Sequence, residues 1–166
     1  MTIQVANYIS NIEPYEGGRP ISEVARELGI PEEKIVKLAS NENPAGISNL
    51  AKIAIKNSIN EIERYPDGNG FYLKKIISKK FSVKPEQIIL GNGSNDILEL
   101  AARTFVTPKE EIIYSQHAFA VYKLVTKSIG AIGVEVPAKN YGHDLNKFLS
   151  SITNNTKLIF IANPNN

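Results

Sequence analysis

Three short stretches combine residue types that hold small anionic or planar molecules. In "LGNGSNDILEL" (Leu90 to Leu100), Gly91 and Gly93 permit a tight turn into a helix. The amides of Ser94, Asn95 and Asp96 can then point outward at the helix start. Free amides and the positive end of the helix dipole suit a phosphate dianion, and the Ser94 and Asn95 side chains can add hydrogen bonds. The same residues also fit a plain helix start with Ser94 or Asn95 as N-cap, and caps are far commoner than phosphate sites. The stretch is no dinucleotide fingerprint, because Asp96 stands where G-x-G-x-x-G requires its third glycine.

"SQHAFAVY" (Ser115 to Tyr122) places His117, Phe119 and Tyr122 after an apolar run. An aromatic ring there can lie against a planar ligand, but burial in the next helix is the commoner fate of such rings. His117 is a weak candidate for proton transfer, since no carboxylate is tied to it in sequence. "NPNN" (Asn163 to Asn166) offers amides that donate and accept without charge, with Asn166 well placed to bond a ligand oxygen. It also reads as a simple turn cluster.

The elements that must position these stretches alternate. The patterning predicts a helix from Ser48 (N-cap) to Glu63, burying Leu50, Ile53, Ala54 and Ile62, and a second from Phe71 to Phe81. Strand "QIILG" (Gln87 to Gly91), helix Ser94 to Phe105, strand "EIIYS" (Glu111 to Ser115) and helix Ala120 to Ser128 follow. Strand "GVEVP" (Gly133 to Pro137), helix Leu145 to Ile152 and strand "KLIFIA" (Lys157 to Ala162) complete the series. Alternation of this kind means βαβ units, a mainly parallel sheet with flanking helices, and ligands at the carboxyl ends of strands. Residues 1–38 carry one helical candidate, Ile21 to Gly29, and are expected to be an arm that packs on something else. Residues 39–166 are expected to form part of a larger α/β domain.

Composition removes several classes of function. Nineteen Lys plus Arg against seventeen Asp plus Glu leave too small a positive excess for an electrostatic nucleic-acid binder. The absence of cysteine removes disulfides, thiol catalysis and Cys-based metal sites, and two histidines far apart suggest no metal cluster. No apolar run approaches the roughly 18 residues that cross a bilayer, and the N-terminus has no signal-peptide pattern. A soluble cytoplasmic protein, binding neither nucleic acid nor membrane, is the expectation.

Taken together and in order, "KLASNENP" (Lys37 to Pro44), "RYPDGNG" (Arg64 to Gly70), "GNGSNDILEL", "HAFAVY" and "NPNN" resemble the class I/II pyridoxal-phosphate aminotransferases. The similarity is greatest to their histidinol-phosphate branch and runs from about Tyr15 to Asn166. It implies the fold type I large domain and pyridoxal 5'-phosphate as cofactor. By the same resemblance, Gly93, Ser94 and Asn95 would hold the cofactor's phosphate and Phe119 would stack on its ring. His117 stands where the family pattern has proline. Asn166 would bond the ring's 3'-oxygen, and Tyr65 would reach the phosphate of a neighbouring subunit's site in a homodimer. Tyr15, in "EPYEGG", and Asn43, in "SNENP", would lie on the substrate side.

The implied reaction is transamination between histidinol phosphate and 2-oxoglutarate, giving imidazole acetol phosphate and glutamate, in histidine biosynthesis. The family's later elements, including the Schiff-base lysine, the pyridinium aspartate and the substrate-binding arginines, are not matched in these residues. Ser78-Lys79 is a superficial match within an amphipathic helical stretch. The chain is therefore expected to be the N-terminal portion of a larger enzyme and inactive alone. Two alternatives stay open: another class I/II enzyme (an aromatic aminotransferase or a threonine-phosphate decarboxylase), or a non-catalytic α/β binding module.

Overall fold

A strongly apolar strand at the centre organises the part of the chain that carries the glycine turn and the aromatic loop. The computed structural model describes residues 4–165, which divide into two compact units, residues 4–15 with 86–165, and residues 16–85. In the first unit, β1 (Glu111–Ser115) lies between β2 (Ile132–Val136) and β3 (Thr156–Ile159), and both pairings are parallel. Four of the five β1 residues are buried, as expected of a central strand covered on both faces. β2 is reached through α6 (Ala120–Ser128), and β3 through α7 (Leu145–Ser150). α5 (Ser94–Phe105) precedes β1.

The two faces of β1 build two cores. Ile112 and Tyr114 join Ala102, Val106, Val121, Tyr122, Val125, Ile129 and Phe160 on the side of α5 and α6. Ile113 packs with Val136 and Phe148 on the α7 side. The alternation of Ile112, Ile113 and Tyr114 between the two clusters is the period-2 geometry of a strand. A short helix α1 (Asn7–Ser10) belongs to the same unit, and its Tyr8 ring lies where a Cβ at Gly130 would meet it, 3.2 Å away.

The second unit contains α2 (Ile21–Leu28), α3 (Asn49–Ser58) and α4 (Phe71–Phe81). α2 ends at Gly29 with φ +64°, a left-handed C-cap that an L side chain adopts only at a cost.

α4, α5, β1 and α6 occur over the expected residues, while other expectations are corrected. The strand expected over Gln87 to Gly91 does not form: Gln87 closes a 3₁₀ turn (Pro85–Gln87), residues 88–91 have no ladder partner among the described residues, and Ile89 is 73% exposed. The helix expected to run to Glu63 ends at Ser58 and continues as one 3₁₀ turn, Ile59–Glu61. Leu50, Ile53 and Ile62, expected to be buried, are exposed. Periodicity marks an apolar face but not what covers it. α7 stops two residues early at Ser150, and β3 is shifted by one residue at its start and closes at Ile159.

Candidate functional site

The glycine turn before α5 owes its shape to two different constraints. A Cβ at Gly91 would sit 2.9 Å from Asp96 Cβ and 3.0 Å from Ile97 Cδ1, so the turn closes against its own helix only without a side chain there. Gly93 has φ +85° and ψ 177°, a backbone region essentially confined to glycine, although open space surrounds it. The turn is braced by Gly93 N donating to Gly91 O (2.9 Å) and by Asn92 N donating to Asp96 Oδ2 (2.9 Å). Asp96, at N3, thus reaches back across the helix start to the amide just before the N-cap, one residue beyond the partner a capping box would use.

Gly93 itself occupies the N-cap position, and no side chain caps the helix. Neither Ser94 nor Asn95 is therefore the cap. The amides at the start of α5 are left to solvent or to a ligand, together with the positive end of a twelve-residue dipole.

The aromatic loop leaves β1 at Ser115. Gln116 N donates to Val136 O (2.7 Å), and Gln116 Oε1 accepts from Ala138 N (3.3 Å), so one residue ties the ends of β1 and β2 together. His117 then turns left-handed (φ +57°), and Phe119 takes the N-cap position of α6. The two aromatics of the pattern separate in role. Tyr122 is a core residue, 7% exposed, stacked on Phe160 at 4.8 Å between centroids and 15° between planes. Burial pushes its phenol pKa up. Phe119 is only half-buried, edge-on to Tyr122 at 6.0 Å, and borders a small cavity of about 80 Å³ with Ser115, His117, Lys123 and Glu135. Tyr114 also lines that cavity, and its phenol pKa is raised by burial and by the Glu135 charge. The Ser115 hydroxyl is buried there without a hydrogen-bond partner.

Connectivity puts the glycine turn and Phe119 on the same edge of the sheet. α5 ends at Phe105 and a five-residue connection brings the chain to the start of β1. Twelve helical residues span about 18 Å, so the start of α5 lies towards the carboxyl ends of the strands. Such an edge is where open α/β sheets bind ligands.

The other expected site residues are placed as follows. Tyr15, in the first unit, is 59% exposed. Tyr65, in the second unit, is fully exposed beside a turn built by Asp67, which accepts from Asn69 N (2.9 Å) and Phe71 N (2.8 Å). Those two backbone donors, Phe71 first, hold the Asp67 carboxyl below its usual range. Asn43 spends both ends of its amide on its own turn, accepting from Ala45 N and donating to Gly46 O. Asn166 lies outside the described residues.

Pattern reading overlooked Gln116 and the β2–α7 connection, residues 137–144. That connection carries His143, whose ring nitrogen Nε2 lies 2.6 Å from Ala162 O at the start of the asparagine loop. A signal was present: His143-Asp144 directly precedes a helix, and Asp144 is indeed its N-cap, accepting from Lys147 N. Among the described residues no three His, Cys, Asp or Glu side chains gather as metal ligands, and no helix is long and apolar enough to cross a membrane.

Residues 33–166 match the model of the family described as aminotransferase class I and II. A protein from Nitrosospira multiformis named histidinol-phosphate aminotransferase 2 is 57% identical over 159 residues, which are 96% of this chain and 41% of that protein. One of the same name from Haemophilus influenzae is 59% identical over 165 residues, 99% of this chain and 44% of that protein. The chain thus spans less than half the length of these curated relatives. Among solved structures, histidinol-phosphate aminotransferase from Sinorhizobium meliloti, in complex with pyridoxal-5'-phosphate, superposes with a TM-score of 0.84 at 20% identity. It matches all of this chain and 44% of its own. A Thermus thermophilus aspartate aminotransferase gives 0.78 at 19% identity, over 99% of this chain and 46% of its own, which shows that the fold is shared.

Proposed function

We propose, from the premise that this chain belongs to the aminotransferase class I and II family, that it is the N-terminal portion of an enzyme exchanging an amino group between histidinol phosphate and 2-oxoglutarate. The observation that carries this reading is the 57–59% identity, along almost the whole chain, to proteins named for that activity. In this reading residues 1–38 are an arm and residues 39–166 are part of the cofactor-binding large domain of a cytoplasmic homodimer.

The residues present fit pyridoxal phosphate. A phosphate needs hydrogen-bond donors and positive potential, and the uncapped start of α5 behind the Gly91–Gly93 turn offers both. A planar ring needs an aromatic face that is not consumed by the core, and half-buried Phe119 offers one where Tyr122 does not. Gly93, Ser94 and Asn95 would hold the phosphate, Phe119 would orient the ring, and the Asn166 amide would donate to the ring oxygen. Tyr65 would contact the phosphate of the neighbouring subunit, and Tyr15 and Asn43 would enclose substrate. The bound cofactor supplies an electron sink for charge developing at the substrate carbon. This chain's share of the work is binding and orientation; no lysine in it is assigned the covalent role.

A substrate panel on the full-length protein tests the reading. Histidinol phosphate should be turned over faster than phenylalanine or tyrosine, and the reverse order would sink the assignment. Residues 1–166 alone should be inactive and should form no borohydride-reducible adduct with pyridoxal phosphate at one defined lysine.

A further inference from the structure

The connection between β2 and α7 does more than join two elements. At its tip, Lys139 and Gly142 exchange both backbone hydrogen bonds (3.0 and 2.9 Å), and the two residues between them, Asn140 and Tyr141, are both left-handed (φ +50° and +61°). This is the pattern of a type I′ turn, which asparagine tolerates and tyrosine adopts only at a cost. A strained, closed turn on a strand-end loop needs surrounding contacts to hold it, and such conformations concentrate at functional positions.

Those contacts run to both neighbouring strand-end loops. The Tyr141 ring meets the His117 ring at 5.4 Å, in the loop that carries Phe119. The Tyr141 carbonyl accepts from Asn165 Nδ2 at 3.1 Å. Two residues on, His143 Nε2 lies 2.6 Å from the Ala162 carbonyl, so this nitrogen carries the hydrogen and donates it. The imidazole is set edge-on against buried Phe148 at 5.8 Å and 86°, which fixes its orientation. Its Nδ1 is buried without a partner, as is Asn165 Oδ1. The loop Ala162–Asn165 is thus tied by side-chain bonds at each of its ends to one rigid turn.

We propose that residues 139–143 form a clasp on the asparagine loop, and that His143 is a positioning residue that holds Ala162–Asn165 in place at the strand-end edge where the cofactor would bind. The proposal rests on the reading of this chain as a pyridoxal-phosphate enzyme, because that reading puts a ligand at this edge of the sheet. The bond itself, however, can be tested separately. A single net hydrogen bond of roughly 0.5–1.5 kcal/mol corresponds to about a two- to tenfold change in an equilibrium.

In the full-length protein, His143→Phe keeps a ring against Phe148 and removes the donor, whereas His143→Gln carries an amide N–H of similar reach. Two quantities are read: the dissociation constant for pyridoxal phosphate and the amide hydrogen exchange of the peptide spanning residues 160–165. His143→Phe should weaken cofactor binding two- to tenfold and speed exchange in that peptide, and His143→Gln should restore both. Asn165→Ala, which removes the other tie, should act in the same direction and decides the matter if His143→Phe does not fold. Unchanged exchange in the folded His143→Phe variant, or in Asn165→Ala where that variant decides, overturns the clasp. No rescue by His143→Gln overturns the role of the donor. A wild-type protein that does not bind pyridoxal phosphate overturns the functional reading instead, and the exchange data still report on the clasp.

Discussion

Replacing Gly93 by alanine probes the turn proposed to face the cofactor, with little confounding from packing. No atom lies within 4 Å of where the new Cβ would stand, so steric crowding is not the issue. The issue is φ +85° with ψ 177°, a conformation that costs a residue with a Cβ about 1–3 kcal/mol. Alanine also narrows the unfolded ensemble, which returns roughly 0.4–1 kcal/mol. The net penalty therefore spans roughly 0–2.6 kcal/mol, about 1.3 kcal/mol at its midpoint. It shows either as lost stability, with the turn held, or as a relaxed turn that a ligand must rebuild. In the second case the affinity for pyridoxal phosphate falls with the population of the competent turn, about ninefold at that midpoint and at most about eightyfold.

The assay is a cofactor titration of the full-length protein beside a denaturant melt. Gly29→Ala serves as the control: Gly29 is also left-handed, at φ +64°, with nothing within 4 Å of a new Cβ. That control should lose about 1 kcal/mol of stability and keep the cofactor affinity. A folded Gly93→Ala protein with neither loss would refute the argument from backbone conformation. Equal loss of cofactor affinity in both variants would refute the assignment of this turn to the phosphate.

Two further outcomes are expected. Tyr114 and Tyr122 have phenol pKa values raised above 10.0 by burial, so the stability they contribute is complete below pH 10. It is lost as pH rises through their folded values, and denaturant melts of a Tyr114→Phe, Tyr122→Phe double variant should show a flatter alkaline limb. Glu110 accepts from Thr107 N at 2.7 Å and pairs with Lys157 at 3.6 Å, which hold its pKa below 4.5. Its contribution is present above about pH 4.5 and disappears as pH falls through the lower folded value. Glu110→Gln should therefore reduce the acid-side slope of stability between pH 5 and 3, by an amount that acid titration of both proteins reads directly.

Composition, periodicity and turn chemistry together determined much of the α/β alternation, because a buried central strand such as "EIIYS" and amphipathic helices such as Ser94–Phe105 are written in local residue types. They also marked the candidate site: two glycines before a helix, and an aromatic at a strand end. Four things required the tertiary structure. Which glycine is demanded by conformation and which by close approach depends on φ at Gly93 and on Ile97 beside Gly91. Which aromatic is free depends on Phe160, thirty-eight residues away from Tyr122, arriving to stack on it. Segment 87–91 looked like a strand, but a strand exists only with a partner, and among the described residues none pairs with it. The tie from His143 to Ala162 spans nineteen residues and forms only because parallel strands bring their carboxyl ends to one edge. Local propensity records what a segment can do alone, whereas pairing, burial and a distant carbonyl are properties of the folded chain.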